Sequence, residues 1–348
     1  MAKNRKEEIK LNYREELQKL KASGPQRLYL LWGAEDYLRE QYLVQLKKLC
    51  LPEGEDSFSY KRMNGPELDL TELGRAVDAL PFLTERSFVE LCDVDLNSLK
   101  EPEQLLTILK DIPDYCTVAF VQGVAFEPDR RLKIYKGLNG LAQELCFTRQ
   151  SQGALIDWIV RRFAAAGKSV ELEAAQRLIF VSGDLMNRLI PEIEKIAAYA
   201  RGERVTVSDV EAVASHIPEA VVFTMTDHIA ARRINEAIAV LAELLSDKNN
   251  APIAIVAMLG QQMRRLYAAR LALDKRLGVT YLTEECAIKS DYGARQLLQS
   301  ARGFTPSQLK RAVELCAETD YRMKSSSEDD TELLKELVMR IAAGEEDA

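Results

Sequence analysis

The chain has 348 residues, of which 47% are hydrophobic and 29% are charged, as in a soluble globular protein of two or three domains. No run of about 18 apolar residues occurs and the first residues lack an apolar stretch, which predicts neither a membrane span nor a secretory signal. Six scattered cysteines without a C-x-x-C pair indicate reduced thiols and a cytoplasmic location. Two histidines without a partner at metal spacing, and no G-x-S-x-G motif, predict no metal site and no catalytic triad.

Residues 27–46 have the pattern of a buried strand, a glycine turn and an amphipathic helix, as in phosphate-binding loops. In the spacing G-x-x-x-x-G-K-[ST] counted from Gly33, the second glycine, the lysine and the hydroxyl are replaced by Leu38, Arg39 and Glu40. Leu38 gives the backbone no freedom to cradle an anion, and Glu40 would repel phosphates. The sequence therefore predicts a degenerate site that does not bind nucleotide.

Residues 1–148 are predicted to form an α/β domain, in which residues 1–24 are an N-terminal extension of open role. β-rich runs alternate with helical patterns, which predicts a doubly wound parallel sheet with helices on both faces. The predicted strands are 27–33, 57–64, 86–94, 117–123 and 145–149, and the predicted helices are 38–50, 69–80, 101–112 and 130–143. An ATPase strand ending in two acids would hold Mg²⁺, but residues 117–123 end in Gln122 and Gly123.

Strand patterns stop after Arg149, and residues 149–214 are predicted to form a small helical domain whose helices end at Gly167, Gly183 and Gly202. Ser208 and Glu211 are read as a capping box. Glu192 and Glu194 are expected on an exposed, salt-bridged helix surface.

Residues 219–348 are predicted to be all-helical, with a clear helix start at Thr305, Pro306 and Gln308. Residues 261–276 carry five bases and one acid. Such clusters can follow a nucleic-acid backbone, so Arg264, Arg265 and Arg270 are candidate DNA contacts, although a solvated surface is the common alternative.

The order of an α/β domain, a helical lid and a helical C-terminal domain resembles the clamp-loader subunits of the AAA+ class. More narrowly, the chain resembles the delta subunits of bacterial DNA polymerase III along almost its whole length. No single segment decides this resemblance, which rests on the order and spacing of residues 29–43, 80–91, 127–138, 183–200, 223–245 and 261–271.

The resemblance implies that the α/β domain binds the ring-shaped beta sliding clamp through a helix end and the turn after it. Here that element is Leu80, Pro81, Phe82 and Leu83, with Phe82 as the principal anchor. An apolar run at a helix end can enter a pocket of a partner. The alternative is that these side chains pack under the sheet as core.

The resemblance also implies no catalytic site and no cofactor. The chain would be a non-catalytic subunit of a DNA-directed DNA polymerase, a nucleotidyltransferase, in the nucleoid-associated replisome. The arginine that lids of this class place on the γ-phosphate is replaced by Met186. The C-terminal helices would form a collar with the motor subunits tau or gamma and with delta-prime, on primer–template DNA.

Two other hypotheses stay open from the sequence. The first is a genuine AAA+ ATPase with a divergent phosphate loop. The second is a helical DNA-binding regulator that uses residues 280–299 as a helix-turn-helix.

Overall fold

The structure is a computed structural model that describes residues 12–52, 54, 58–286, 288 and 290–344. The chain divides into two compact units. The first runs to Gln150 and includes Leu185–Asn187, and the second comprises Ser151–Asp184 and Arg188–Ala348.

A five-stranded parallel sheet lies at the centre of the first unit, as the alternating pattern predicts. Its order is β2-β3-β4-β1-β5. The strands are β1 (Leu28–Trp32), β2 (Tyr60–Asn64), β3 (Ser87–Cys92), β4 (Cys116–Val121) and β5 (Gln143–Cys146). All of β3 is buried, as are the first four residues of β1, because helices cover a parallel sheet on both faces.

The described residues of the first unit include five α-helices that lie wholly within it. They are α1 (Tyr13–Ser23), α2 (Asp36–Cys50), α3 (Leu70–Asp78), α4 (Pro102–Lys110) and α5 (Lys133–Leu138). The last is much shorter than the predicted helix 130–143, since the chain turns after it through Gly140 at φ +78°. The described part of the N-terminal extension is α1, whose Leu20 is buried, and Glu16 accepts a hydrogen bond from Gln143 on the edge strand β5 at 3.2 Å. Residues 1–11 lie outside the described part.

The second unit is almost entirely helical. Its helices are α6 (Gln152–Ala165), α7 (Leu172–Ser182), α8 (Met186–Tyr199, which begins in the first unit), α9 (Val207–Val213), α10 (Pro218–Ala230), α11 (Ile234–Ser246), α12 (Pro252–Asp274), α13 (Val279–Glu284), α14 (Asp291–Ser300), α15 (Pro306–Ser325) and α16 (Asp330–Ala343). The prediction that strands stop after Arg149 is wrong in one detail, because β6 (Ser169–Val170) pairs with β7 (Arg204–Val205). Two-residue strands are too short to show an alternating pattern.

Several predicted helix ends are confirmed. Gly167 and Gly183 have φ of +74° and +91° just after their helices, and Thr305 forms the predicted capping box with Gln308. Gly202 does not end a helix, since α8 stops at Tyr199.

The predicted capping box of Ser208 and Glu211 is wrong. The box is formed by Thr206 and Asp209, whose carboxylate accepts the Thr206 N–H at 2.8 Å. Glu211 instead pairs with Arg177 of α7.

The expectation that Glu192 is exposed is also wrong. Its side chain is buried, and it accepts hydrogen bonds from the backbone N–H of Ser215 at 2.9 Å and from Lys195 at 2.8 Å. Glu194 is exposed, as expected. The two carboxylates are two positions apart and so lie on different sides of the helix.

One buried ion pair joins α2 to the sheet. Lys47 Nζ lies 2.5 Å from Glu90 Oε2 on β3, and the hydroxyl of Tyr60 on β2 donates to the same oxygen at 2.7 Å. Burial alone would raise the pKa of Glu90, but the hydrogen bonds from Lys47 and Tyr60 outweigh it and lower that pKa below its ordinary 4.5.

We predict that Lys47→Met lowers the free energy of unfolding of this unit by about 3 kcal/mol at neutral pH, because it leaves a buried carboxylate without its cation. A lowered pKa in the folded state stabilises the protein above 4.5, and this stabilisation is lost as the pH falls through the folded pKa. The difference between wild type and variant should therefore narrow in acid.

The measurement is urea unfolding followed by Trp32 fluorescence in a Trp158→Phe background, since Trp158 lies in the other unit. The control is Lys61→Met, which breaks a half-exposed pair with Glu72 and should cost less than about 1 kcal/mol. If Lys47→Met lowered the unfolding free energy equally at neutral and acidic pH, the pair of Lys47 with an ionised Glu90 would not be the source of the stabilisation.

Candidate functional site

The turn after β1 is closed by direct contact with the backbone that follows β5. Gly33 has φ +121°, and a Cβ on it would lie 2.5 Å from the carbonyl oxygen of Phe147. The N–H of Glu35 donates to that oxygen at 2.9 Å, and the N–H of Phe147 donates to Trp32 at 2.7 Å. Only glycine fits at position 33, and hydrogen bonds hold the turn against the backbone of Phe147.

Two acidic residues lie at the N-terminus of α2, Glu35 at the cap position and Asp36 as the first helical residue. The side chain of Glu35 is fully buried, and its Oε2 accepts the backbone N–H of Met186 at 3.5 Å. Asp36 Oδ2 accepts Asn187 Nδ2 at 2.8 Å. Asp36 Oδ1 accepts the backbone N–H of Tyr37 at 2.9 Å, so one of the chain's own acids meets the N-terminus of α2, where negative charge is favoured.

The predicted residues of this site are only partly brought together. Leu38, Arg39 and Met186 are buried, and Arg39 turns back to donate to the carbonyl of Gly33 at 3.0 Å. Glu40 is exposed. The spacing did not single out the buried Glu35, because this residue lies inside the turn.

No acid pair follows β4. Gln122 is buried and its amide donates to the carbonyl of Val94 at 3.1 Å. A Cβ on Gly123 would lie 3.1 Å from Oδ1 of Asp93, which places that carboxylate of the β3 end beside the end of β4. The sequence reading missed this acid. Among the described residues, no group of three or more His, Cys, Asp or Glu side chains could hold a metal ion.

The apolar run, residues 80–83, and the turn at Gly33 lie at opposite ends of the strands of the sheet. Because all strands are parallel, Gly33 follows the carboxyl end of β1, whereas residues 80–83 precede the amino end of β3. The exposed fractions are 78% for Leu80, 56% for Phe82 and 76% for Leu83, and Pro81 is half-buried. We call these four residues the prong. Since three of its side chains are exposed, they are not sheet core.

Hydrogen bonds fix the backbone of the prong. The hydroxyl of Ser59, which precedes β2, accepts the N–H of Phe82 at 2.8 Å and donates to its carbonyl at 3.2 Å. Thr84 Oγ1 lies 2.7 Å from the same hydroxyl. Leu83 has φ +60°, a left-handed conformation that costs a non-glycine residue of order 1–2 kcal/mol. The surrounding contacts therefore hold apolar side chains out in water at an energetic cost.

Two family models match the chain. One described as the DNA polymerase III delta subunit matches residues 29–147, and one described as its C-terminal domain matches residues 219–341. The chain belongs to the DNA polymerase III delta subunit family. The resemblance on which the sequence reading relied is thereby confirmed.

Individual relatives agree with the family. DNA polymerase III subunit delta of Bacillus subtilis is 22% identical over 330 residues, 92% of this chain and 94% of that protein. "Probable DNA polymerase III subunit delta" of Aquifex aeolicus is 22% identical over 329 residues, 90% of each. The solved Bacillus subtilis DNA clamp loader delta protein has the same fold, with a TM-score of 0.52 and 20% identity over 95% of this chain and 99% of that one.

The three candidate DNA contacts of this delta-family chain do not share one face of α12. At about 100° per residue, each is at least a quarter turn from the others. Arg264 is exposed, Arg265 is half-buried with its pKa lowered by burial, and Arg270 donates to Asp274 at 2.6 Å. Arg264 is therefore the strongest of the three as a phosphate contact.

In the segment proposed as a helix-turn-helix, the second helix, α14, packs one face into the core. Tyr292, Ala294 and Leu297 of α14 are buried, and the exposed face of that helix carries Asp291, Arg295 and Gln299. A face with one acid and one base gives little attraction for phosphates. No helix in the described part of the chain is both long and apolar enough to cross a membrane.

We predict that the chain binds no Mg-ATP at micromolar concentration, because the turn at Gly33 is closed against Phe147 and the lysine and hydroxyl of a phosphate loop are replaced by Arg39 and Glu40. The measurement is equilibrium dialysis of the full chain against labelled ATP, with an ATP-binding AAA+ protein dialysed in parallel. Saturable binding in the micromolar range would contradict this prediction and favour the ATPase hypothesis.

Proposed function

We propose that this chain binds a beta sliding clamp through the prong and opens it for loading onto primed DNA, without hydrolysing ATP itself. The observation that carries the proposal is the prong, whose apolar side chains are exposed on a backbone that Ser59 and Thr84 hold in place. Monomeric proteins rarely expose such clusters without a partner. Membership of the delta family supports a sliding clamp as the partner.

The work of opening comes from binding in this proposal. A ligand shifts an equilibrium only by its preference for one of two states. The chain would bind the open clamp more tightly than the closed one, and the motor subunits would control when the prong is accessible. The closed turn at Gly33 is consistent with a subunit that takes no nucleotide of its own.

The C-terminal helices would join the motor subunits tau or gamma and delta-prime, and they would lie near primer–template DNA. Support comes from the match of residues 219–341 to the family's C-terminal domain. This domain has a continuous core in which one face of α12 is buried from Ile255 to Ala272. Such a domain could serve as a platform for the neighbouring subunits. Membership of the polymerase assembly would make the chain a non-catalytic polymerase subunit.

We predict that Phe82→Ala weakens binding to the cognate sliding clamp about 30-fold, which corresponds to about 2 kcal/mol, because it removes an aromatic anchor. The measurement is calorimetry with the full chain and the clamp. The control is Val124→Ala, an equally exposed apolar residue that follows β4 at the other edge of the sheet. Unchanged affinity of the Phe82 variant would remove the prong from the interface.

For DNA, we predict that Arg264→Ala in the assembled loader weakens binding to primed DNA and reduces the slope of log K against log salt by about 0.9, as expected for one lost phosphate contact. Arg270→Ala is the control, because Asp274 already pairs with that guanidinium. Equal effects of the two variants would argue against a specific contact at Arg264.

A further inference from the structure

A second aromatic side chain lies against the prong, from a different part of the chain. Phe58 is 91% exposed, the largest exposed fraction among the large hydrophobic side chains that the structure describes. Its ring centroid is 5.9 Å from that of Phe82, and the two ring planes meet at 88°. This edge-to-face geometry is favourable between aromatic rings. Two exposed aromatic rings are therefore in contact at the amino end of the sheet.

The backbone couples the two rings. Phe58 is followed by Ser59, whose hydroxyl bonds both the N–H and the carbonyl of Phe82. The carbonyl of Ser59 in turn accepts the N–H of Phe88 in β3 at 2.8 Å. One residue thus ties the segment that carries the first ring to the segment that carries the second, and ties both to the sheet.

The exposed surface of the pair is continuous with the prong. Leu80 and Leu83 flank Phe82 in sequence and are more than three-quarters exposed. Sequence reading placed Phe58 inside the predicted strand 57–64, where alternation would bury every second residue. In the structure β2 begins only at Tyr60, so Phe58 lies before the sheet with its ring free to contact a partner.

We propose that Phe58 is a second clamp-contacting residue that forms one hydrophobic anchor with Phe82. This inference rests on the proposed function. The partner surface that would receive the two rings is the same apolar pocket of a sliding clamp that receives the prong. Because the ring pair is already assembled in the free protein, binding does not have to order it, and preorganisation of this kind increases affinity. A pocket that accepts both rings must be wider than one built for a single phenylalanine.

A double-mutant cycle tests the anchor. The full chain, Phe58→Ala, Phe82→Ala and the double variant are titrated with the cognate clamp, and Val124→Ala and Phe58→Tyr are controls. Phe58→Ala should weaken binding about tenfold, as an interface aromatic does. Phe58→Tyr keeps the ring and should stay within about twofold of wild type. Since Phe58 is almost fully exposed, its loss should leave the melting temperature nearly unchanged.

The double variant separates the possible outcomes. If the rings act as one anchor, its loss of affinity will be smaller than the product of the two single losses by about threefold or more. Wild-type affinity of Phe58→Ala beside a weakened Phe82→Ala, or strictly multiplicative losses, would overturn the shared anchor but keep the proposed function. Wild-type affinity of Phe82→Ala would overturn the proposed function itself.

Discussion

The fold depends on one close approach, that of Gly33 to the backbone of Phe147. It closes the turn at the carboxyl edge of β1, the place where phosphate-binding relatives of this architecture open a cradle. With that turn closed, the carboxyl end of β1 is packed against the backbone that follows β5. The amino end of the sheet carries the exposed apolar cluster formed by the prong. The amino and carboxyl ends of parallel strands are chemically distinct, and in this unit the amino end presents the candidate binding surface.

The prong shows how a small surface can be made rigid without regular secondary structure. A hydroxyl pair, Ser59 and Thr84, replaces the hydrogen bonds that a strand or helix would supply. The left-handed backbone at Leu83 is held against its intrinsic preference. The entropy cost of ordering this backbone is therefore met during folding, and under the proposed function more of the apolar contact energy would remain for binding.

Sequence reasoning predicted the parallel sheet because alternating strands and helices leave a long-range pattern. It failed where tertiary contacts decide whether a particular side chain is buried or exposed. Glu35 sits within the turn rather than at a motif position, so only the fold shows that its carboxylate is buried and accepts the N–H of Met186. Phe58 was assigned to a strand whose true start is two residues later. Glu192 looks like a surface acid until the N–H of Ser215 is brought to it. Exposure of the prong could be proposed from its position but not decided, since a helix end can equally be core.

A series of contacts connects the two ends of the sheet in this unit. α2 starts at the closed turn and carries Lys47, which pairs with Glu90 on β3, and Tyr60 on β2 bonds the same carboxylate. Ser59, directly before β2, then holds Phe82. In a nucleotide switch such a path would have two arrangements selected by the ligand. In this chain the turn at Gly33 is instead closed against the backbone of Phe147. Under the proposed function, which involves no nucleotide of its own, the subunit would act through the state of the partner that its surface binds best, and the proteins around it would set the timing.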